Sequence, residues 1–577
     1  MGVLSLAERF TEYFRLHLVN LLCALLLGSL ALTPSLVPRP TVFQGFLAGA
    51  WFVIGFQCGY AVCHAWRLAW RRGGAGKHAP GAGPRRPRSS RAKRTTGIAV
   101  LLGLLAYLWG YGALVVSWQN AVRGLVDMEP VDGVGHAGFL LSMVATMALF
   151  ILIAKGVAAG SELVSEQVMR RGHSPRVAQW ASRGTTMVLV AGLVIGLAGA
   201  GLFAVARIYQ DRDAGTLEGS AQPVLASRTG SAGSAVAWDG LGRQGRAFAG
   251  GGPSAARIAE VTGKAAMEPV RVYAGLGQAS DVRKRADLVV DELVRTGGFD
   301  RKVLLVATPT GSGWLEPQAM ASLEYLYGGD TATASMQYSY EPSWVSFLFE
   351  PHLAVDSSTA LFEAVRARWD ELPEGNRPRL AVYGLSLGAQ GMQGNFADLA
   401  DLRDRTDAAL FTGPPANSQP WRGLQEDRDP GSPVWQPVYQ DGRQVRWQSN
   451  PGDFQGLGGI WKAPRIGYLQ HATDPITWLD PKVIYQRPEW LAGPAAAGGR
   501  GPDVSDSMRW IPGVTFLHLV TDMLVSEAVP PSHGHNFGDV ALDGWAQVLP
   551  GHGRTDAQLA SIQSVIEEID THDPIWE

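Results

Sequence analysis

The sequence predicts an α/β domain, with a mostly parallel sheet and helices on both faces, preceded by a bundle of about five transmembrane helices. Residues 1 to 207 of the 577-residue chain hold the long apolar stretches, each about long enough to cross roughly 30 Å of hydrocarbon as a helix. Residues 208 to 263 are rich in Gly, Ala and Ser, which predicts a flexible linker. From 264 to 577, short apolar runs alternate with amphipathic segments, as strands and helices do around a parallel sheet.

The membrane prediction rests on apolar stretches near residues 18 to 37, 44 to 65, 96 to 118, 137 to 158 and 184 to 206. The first stretch is too long for the apolar core of a removable signal peptide, and further stretches follow it. It is therefore interpreted as a retained helix.

The charged loops predict the orientation of the bundle, because short loops rich in Lys and Arg stay in the cytoplasm. The loops after the second and fourth stretches are basic, the loop after the third is acidic, and the N-terminus bears Arg9 and Arg15. With five crossings, these charges predict a multi-pass protein of the inner or plasma membrane. Its N-terminus is expected in the cytoplasm and its C-terminal domain outside, with the lipid bilayer as a partner.

Charge and cysteine content exclude several classes of function. The cation cluster at 67 to 94 lies between two apolar stretches, which favours a topology signal, with contact to anionic lipid as an additional role, over nucleic-acid binding. Cys23, Cys58 and Cys63 all fall in apolar stretches. The C-terminal domain therefore has no cysteine for a disulfide, a thiolate nucleophile or a metal cluster.

The C-terminal domain is predicted to alternate strands and helices. Strands are expected at 270 to 274, 302 to 308, 332 to 339, 379 to 383, 408 to 412, 465 to 470 and 514 to 520, and helices at 281 to 296, 316 to 327, 357 to 371, 387 to 402, 481 to 491 and 555 to 570. The segment from about 414 to 463 breaks this rhythm with many Trp, Pro and Gly residues. It is predicted to be an insertion over the carboxyl ends of the strands, where its tryptophans either line an apolar cleft or pack in a core.

A candidate nucleophile follows the predicted strand at 379 to 383. The pentapeptide Gly384-Leu385-Ser386-Leu387-Gly388 has the G-x-S-x-G pattern of a nucleophile elbow, a strand-to-helix turn that lifts the serine hydroxyl above the sheet. The amide of Leu387 would then point at a developing oxyanion. The same pattern also fits a plain strand-turn-helix junction.

A serine nucleophile needs a base and an acid, which in this architecture follow it in the order acid, histidine. Asp474, just beyond the strand at 465 to 470, is the predicted acid, with Asp522 in reserve. His533 and His535 compete as the base, and His535 is preferred because Gly534 precedes it in a loop that can approach the site closely.

A catalytic role for His518 and a metal centre are both disfavoured. His518 lies inside a predicted strand and is interpreted as a core or sheet-face residue. A zinc site on the pair His533 and His535 lacks a nearby third ligand, so neither a metal nor a cofactor is expected.

The second oxyanion donor is expected in the Gly-rich loop at 309 to 313, where the amides of Thr310 and Gly311 are the candidates. This loop lacks the Gly-Lys-Ser/Thr ending of a phosphate-binding loop, so nucleotide binding is not predicted.

These segments together resemble a bacterial family of membrane-anchored α/β-hydrolases that pairs a helical N-terminal domain with a C-terminal catalytic domain. The motifs that carry the resemblance are Trp238-Asp-Gly-Leu-Gly-Arg-Gln-Gly-Arg246, Pro309-Thr-Gly-Ser-Gly-Trp314, Gln337-Tyr-Ser-Tyr340, the elbow, Gln470-His-Ala-Thr-Asp-Pro475 and His533-Gly-His535. The resemblance implies an α/β-hydrolase fold and a serine-hydrolase class, without naming a substrate.

The sequence therefore predicts a serine esterase or lipase-like hydrolase that acts on an acyl ester, with a lipid-linked ester favoured by the membrane helices. A catalytically silent hydrolase fold that serves binding or scaffolding in the cell envelope is the alternative. A transporter is disfavoured, because the predicted spans carry few ionisable residues at their centres.

Overall fold

The structure, a computed structural model, describes residues 18–72, 90–493 and 499–569. The chain divides into two compact units, Met1–Gly199 and Ala200–Glu577. The first unit is helical, and the second contains the sheet.

Four helices of the described residues are long and apolar enough to cross a membrane. They are α2 (Thr41–Arg72), α3 (Ser90–Leu125), α4 (Gly133–Arg170) and α5 (Pro175–Ala214). The first predicted stretch forms a shorter apolar helix, α1 (Leu18–Leu30), in the described residues. The structure thus has four candidate spans where about five were predicted. Arg9, Arg15 and the middle of the basic cluster lie outside the described residues, so the orientation stays a prediction.

Small residues let α2 approach its neighbours in the first unit. Gly45 and Gly49 are one turn apart, and a Cβ on Gly45 would overlap the carbonyl oxygen of Phe139 on α4. Farther along α2, a Cβ on Gly59 would lie 2.5 Å from Cα of Asn20 on α1. Glycines spaced by four residues are typical of close helix packing inside a bilayer.

Large apolar side chains remain exposed on α3, α4 and α5. Trp109, Leu152 and Ile195 expose 81%, 67% and 71% of their surface. In water such continuous apolar surface would be unfavourable, whereas lipid solvates it well. The pattern indicates a membrane protein.

The second unit is built on a seven-stranded sheet in the order β1-β3-β2-β4-β5-β7-β6, in which every pairing is parallel. The strands are β1 (Val270–Ala274), β2 (Val303–Thr308), β3 (Thr331–Met336), β4 (Arg379–Leu385), β5 (Ala408–Thr412), β6 (Val445–Gln448) and β7 (Arg465–Leu469). β4, which leads into the elbow, lies at the centre of the sheet.

Helices cover both faces of the sheet, as predicted. They are α6 (Gly242–Gly250), α7 (Ala255–Thr262), α8 (Val282–Arg295), α9 (Pro317–Leu326), α10 (Ser343–Phe349), α11 (His352–Asp370), α12 (Leu387–Gln393), α13 (Leu399–Arg405), α14 (Trp421–Glu426), α15 (Asp453–Gly456), α16 (Pro475–Trp478), α17 (Val514–Met523), α18 (Ala541–Val548) and α19 (Asp556–Glu567). The predicted helix at 481 to 491 is instead two short 3₁₀ turns, Pro481–Ile484 and Glu489–Leu491.

The strand residues alternate between two apolar cores. On β2, Leu305 and Ala307 pack in the core that contains α9, α18 and α19, while Leu304 and Val306 pack in the core that contains α8 and α11. Successive side chains of a strand point to opposite faces, so a strand covered on both faces is apolar throughout.

Two strand predictions are wrong. Residues 514 to 520 belong to the helix α17, because this apolar run also carries its buried residues, Val514, Thr515, His518, Leu519 and Asp522, at helical spacing. The second error is β6, which lies inside the predicted insertion and pairs with β7. The segment 414 to 463 is therefore partly integral to the sheet.

The segment 208 to 263, predicted to be a flexible linker, is folded onto the sheet unit. The amide of Thr229 donates to the carbonyl of Arg271 on β1 at 3.1 Å, and Arg228 forms a parallel bridge with Arg271. This contact covers the outer edge of the edge strand β1. Composition rich in Gly and Ser therefore did not indicate flexibility here.

Candidate active site

Ser386 occupies a strained turn between β4 and α12. Its backbone has φ 55° and ψ −126°, a region that non-glycine residues rarely adopt. A Cβ on Gly384 would overlap the carbonyl oxygen of Gly388, and one on Gly388 would overlap that of Thr308. The two glycines of the pentapeptide are therefore required for the turn to close, as in a nucleophile elbow.

His535 and Asp474 form a buried pair. Nδ1 of His535 lies 2.7 Å from Oδ2 of Asp474, and both side chains are almost fully buried. Oδ1 of the same carboxylate accepts from the amide of Ile476 at 2.9 Å, and Oδ2 also accepts from the hydroxyl of Thr477 at 3.2 Å. These bonds fix the carboxylate, which in turn fixes the orientation of the imidazole.

Gly413 connects this pair to the elbow. The amide of Ser386 donates to the carbonyl of Thr412 at 2.8 Å, so the serine backbone lies beside the end of β5. The next residue, Gly413, has φ 49°, and a Cβ there would lie 2.5 Å from Cε1 of His535 and 2.9 Å from Oδ2 of Asp474. Serine, imidazole and carboxylate thus share one edge of the sheet.

The hydrogen bond between serine and histidine is not formed in this structure. Nε2 of His535 is buried and has no hydrogen-bond partner in the described part of the chain. Ser386 exposes 4% of its surface. Catalytic hydrogen bonds are often long before substrate binds, and a free Nε2 is the atom that a general base must offer.

Charges around His535 raise its pKa. Burial opposes the imidazolium, but the charge of Asp474 and its hydrogen bond outweigh burial, with Glu527 and Glu316 adding to the rise. Glu316 is itself buried and accepts a 2.7 Å hydrogen bond from the hydroxyl of Tyr383 on β4. Burial raises the pKa of Glu316 to about 7, although Tyr383 and His535 act in the opposite direction.

A second histidine pair lies next to the first. Nδ1 of His533 lies 3.0 Å from Oδ2 of Asp503, which also accepts from the hydroxyl of Thr473 at 2.8 Å. The same hydroxyl accepts from the amide of Gly534 at 2.9 Å. His533 is therefore paired with Asp503, and this network ties the loop of His535 to the loop of Asp474.

The alternative acid Asp522 and the histidine His518 lie on a helix. Asp522 and His518 are buried on the helix α17, which corrects the placement of His518 in a strand. The carboxylate bonded to Nδ1 of His535 is that of Asp474 rather than that of Asp522.

The loop at 309 to 314 follows β2 and packs on the elbow. The amide of Thr310 donates to the carbonyl of Trp314 at 2.9 Å, so it is already engaged and does not fit the expected role of oxyanion donor. Gly311 has φ 48° and stays a candidate, as does Leu387, the first residue of α12.

The motif at 238 to 246, one of those that carry the family resemblance, holds the end of α5. The amide of Arg243 donates to Oδ1 of Asp213 at 3.1 Å, and the guanidinium of Arg246 donates to the carbonyl of Asp213 at 2.8 Å. Gly242 has φ 72°, and a Cβ there would lie 2.6 Å from the Asp213 carboxylate. The motif is a binding site for one side chain of α5.

The tryptophans of the segment 414 to 463 mostly pack in cores. Trp421, Trp447 and Trp461 are buried among core residues, and Trp447 stacks on Tyr468 at 5.2 Å between ring centroids. A cavity of about 410 Å³ lies elsewhere, between α6, α9 and α19, and none of Ser386, Asp474 and His535 lines it.

Within the described residues, no group of three or more His, Cys, Asp or Glu side chains is arranged to hold a metal ion. The site offers instead a hydroxyl, an imidazole and a carboxylate, the side chains of acyl transfer through a serine.

Sequence reasoning missed Glu316, Gly413 and Asp503. Gly413 follows a strand directly, which is a signal for close approach at a sheet edge. Glu316 precedes Pro317 and resembles an ordinary helix start. Only the fold shows that its carboxylate reaches Tyr383.

Comparison with family models gives two adjoining matches. Residues 270–562, more than half of the chain, match the model described as alpha/beta-hydrolase family, and residues 32–253 match the model of that family's N-terminus. No curated protein and no solved structure matches the chain significantly. The order of the matched regions agrees with a helical unit followed by a sheet unit. The chain belongs to the alpha/beta-hydrolase family.

Proposed function

We propose that this protein is a membrane-anchored serine hydrolase that cleaves an acyl ester through Ser386, His535 and Asp474. The observation that carries the proposal is the buried 2.7 Å pair of His535 and Asp474, whose imidazole borders the strand end next to the elbow. A buried imidazole held at Nδ1 by a carboxylate and free at Nε2 is suited to general base catalysis.

In the proposed reaction, Oγ of Ser386 forms a bond to the acyl carbon while its proton passes to Nε2 of His535. The carbonyl π electrons move onto the carbonyl oxygen, and Asp474 stabilises the imidazolium. When the carbonyl re-forms, the ester C–O bond breaks and the alcohol leaves with the proton from Nε2. Water, activated by the same imidazole, then releases the acid and regenerates the serine.

The proposed substrate class is an acyl ester, with an ester linked to a lipid favoured. Four helices that could cross a membrane would hold the sheet unit at the bilayer, where lipid esters are concentrated. Orientation is part of the proposal, with the N-terminus in the cytoplasm and the hydrolase unit outside.

Orientation is tested by a membrane-impermeant maleimide on intact cells that express Ser564→Cys in a background with Cys23, Cys58 and Cys63 replaced. Ser564 is exposed on α19. We expect labelling without permeabilisation; labelling only after permeabilisation would place the hydrolase unit in the cytoplasm and overturn this part.

Activity is tested by hydrolysis of p-nitrophenyl butyrate by the full chain in lipid nanodiscs. Ser386→Ala and His535→Ala should each lower kcat by roughly 10⁴-fold or more, because the triad acts as a unit. His352→Ala, at an exposed histidine of α11, is the matched control and should keep wild-type activity. Equal hydrolysis by wild type and Ser386→Ala would refute the proposal.

The second candidate function is a catalytically silent binding or scaffold protein. The low exposure of Ser386 and the absent serine–histidine hydrogen bond favour it. It predicts that wild type and Ser386→Ala behave identically towards every ester, which the same assay measures.

A further inference from the structure

The segment that follows β3 has no role in the proposed triad, although its motif Gln337-Tyr338-Ser339-Tyr340 is distinctive in the sequence. Because β3 is the neighbour of β2, this segment lies beside the loop at 309 to 314. Gln337 and Tyr338 are both buried, at 1% and 5% exposure.

The side chain of Gln337 forms three hydrogen bonds, one of them to the neighbouring loop. Its Nε2 donates to the carbonyl of Ser312 at 2.9 Å and to Oδ1 of Asp213 at 3.0 Å, and its Oε1 accepts from the amide of Leu276 at 3.1 Å. The hydroxyl of Tyr273 donates to the next carbonyl, that of Gly313, at 2.9 Å. Two successive carbonyls of the loop are thus held, and their fixed positions also fix the amides.

Tyr338 differs from its neighbour, because its hydroxyl proton has no acceptor among the described residues. The amide of Gly311 faces that hydroxyl and partly offsets the rise that burial causes in the pKa of Tyr338. The ring belongs to a small apolar cluster with Ala354 and Leu387, the residue after the elbow serine. The side chain of Tyr338 therefore adjoins both segments that carry candidate oxyanion donors, with its hydroxyl near Gly311 and its ring against Leu387.

Buried polar atoms in native proteins nearly always have a partner, so a buried hydroxyl proton without an acceptor calls for one. In the loop at 309 to 314, Oγ1 of Thr310 also has no partner among the described residues, and Nε2 of His535 has none in the loop that carries the candidate base. Unpaired polar atoms on segments that meet at one edge of the sheet fit a polar ligand that supplies their partners. Tyrosine hydroxyls are among the groups that serve in oxyanion holes.

We propose that the hydroxyl of Tyr338 donates a hydrogen bond to the carbonyl oxygen of the acyl substrate as that oxygen becomes an oxyanion. Tyr338 keeps its proton throughout, because burial raises its pKa and favours the neutral phenol. The negative charge formed when Ser386 attacks is shared between this hydroxyl and backbone amides. The inference rests on the proposed function and names a substrate-contacting residue beyond its triad.

The test is Tyr338→Phe in the full chain in nanodiscs, measured by kcat, KM and melting temperature with p-nitrophenyl butyrate. We expect kcat to fall by about 10²-fold with KM nearly unchanged, as when one oxyanion donor is removed. The melting temperature should change little, because the hydroxyl proton has no acceptor to lose and only the amide of Gly311 faces the hydroxyl.

The control variant is Tyr327→Phe. The hydroxyl of Tyr327 donates to the carbonyl of Leu549 at 2.8 Å and accepts from Arg379, at the end of α9 away from the elbow. We expect this variant to lower the melting temperature and to leave kcat unchanged.

Wild-type kcat in Tyr338→Phe would overturn this inference and leave the proposed function intact. A lowered melting temperature without a change in kcat would overturn it too, since that outcome indicates a purely structural hydroxyl. A wild-type protein with no Ser386-dependent hydrolysis would instead overturn the proposed function and this inference together.

Discussion

Tyr383 lies three residues before the elbow serine, and its hydroxyl donates a 2.7 Å hydrogen bond to Oε2 of Glu316. Both side chains are buried in the core beneath the site. A carboxyl group held there changes its charge near neutral pH, because burial raises its pKa from 4.5 to about 7. This relationship makes the stability of the folded chain depend on pH.

The first prediction concerns stability. Between the unfolded pKa of Glu316 and its folded pKa of about 7, the folded state binds the proton more tightly, so stability falls as pH rises from about 4.5 to 7. Glu316→Gln removes this loss, which amounts to about 3 kcal/mol at most. The melting temperature of the variant minus that of wild type should be larger at pH 8 than at pH 5.

Glu374→Gln, at an exposed glutamate, provides the control and should show the wild-type pH dependence. The interpretation of Glu316 is wrong if Glu316→Gln gives the same difference in melting temperature between pH 5 and pH 8 as wild type.

The second prediction concerns the pH profile of hydrolysis. His535 must be neutral to accept the serine proton, and the charge of Asp474 outweighs burial to raise the pKa of His535 above 6.5. The rate should therefore rise with pH through a midpoint above 6.5. Asp474→Asn removes the largest contribution that raises this pKa, so the midpoint should move to lower pH and the plateau of kcat should fall by roughly 10⁴-fold.

Profiles of kcat against pH for both proteins check this prediction. A midpoint that stays in place in Asp474→Asn would show that Asp474 does not set the pKa of the catalytic base.

The third prediction concerns Gly413. A Cβ at this position would lie 2.5 Å from Cε1 of His535, so Gly413→Ala must displace the imidazole. Displacement of a catalytic group by about 1 Å can cost 10²-fold in rate, and we expect a loss of that size in kcat. Gly431 also has a positive φ, 87°, but a Cβ there would meet no atom within 4 Å, which makes Gly431→Ala a control without the clash.

Gly413→Ala should lower the melting temperature more than Gly431→Ala, because only its Cβ meets buried side chains, and only Gly413→Ala should lose activity. Equal kcat in the two variants would mean that the imidazole near Gly413 is not the catalytic base.

The fourth prediction concerns the strain at Ser386. A non-glycine residue at φ 55° and ψ −126° costs of order 1 to 3 kcal/mol, and glycine adopts this conformation freely. After the entropic cost of glycine, Ser386→Gly should be about 1 kcal/mol more stable than Ser386→Ala. Urea unfolding of both inactive variants measures the difference, and a less stable glycine variant would show that the turn is not strained.

A feature can be predicted from the sequence when the residues that determine it are close together along the chain. The elbow is predictable because a strand, two glycines and a serine are contiguous. Asp474 and His535 are predictable as residues that follow elements near the carboxyl edge. Their bond confirms that they meet, whereas their catalytic role stays a prediction.

Features decided by tertiary contacts escape prediction. β6 has four residues in a segment rich in Pro and Gly, and it is a strand because β7 offers an open edge. Residues 514 to 520 suit a strand by composition, but their buried positions follow helical spacing. The amide of Thr310 is available by sequence alone, and only the bridge to Trp314 shows that it is engaged.

The central claim is that Ser386 is the nucleophile. The most direct measurement is mass-spectrometric mapping of the adduct formed when the full chain in nanodiscs reacts with diisopropyl fluorophosphate. We predict one phosphoryl group, located on Ser386 and absent from Ser386→Ala, while Ser343→Ala at the same edge of the sheet still reacts. No adduct on wild type, or an adduct that persists in Ser386→Ala, would contradict the account.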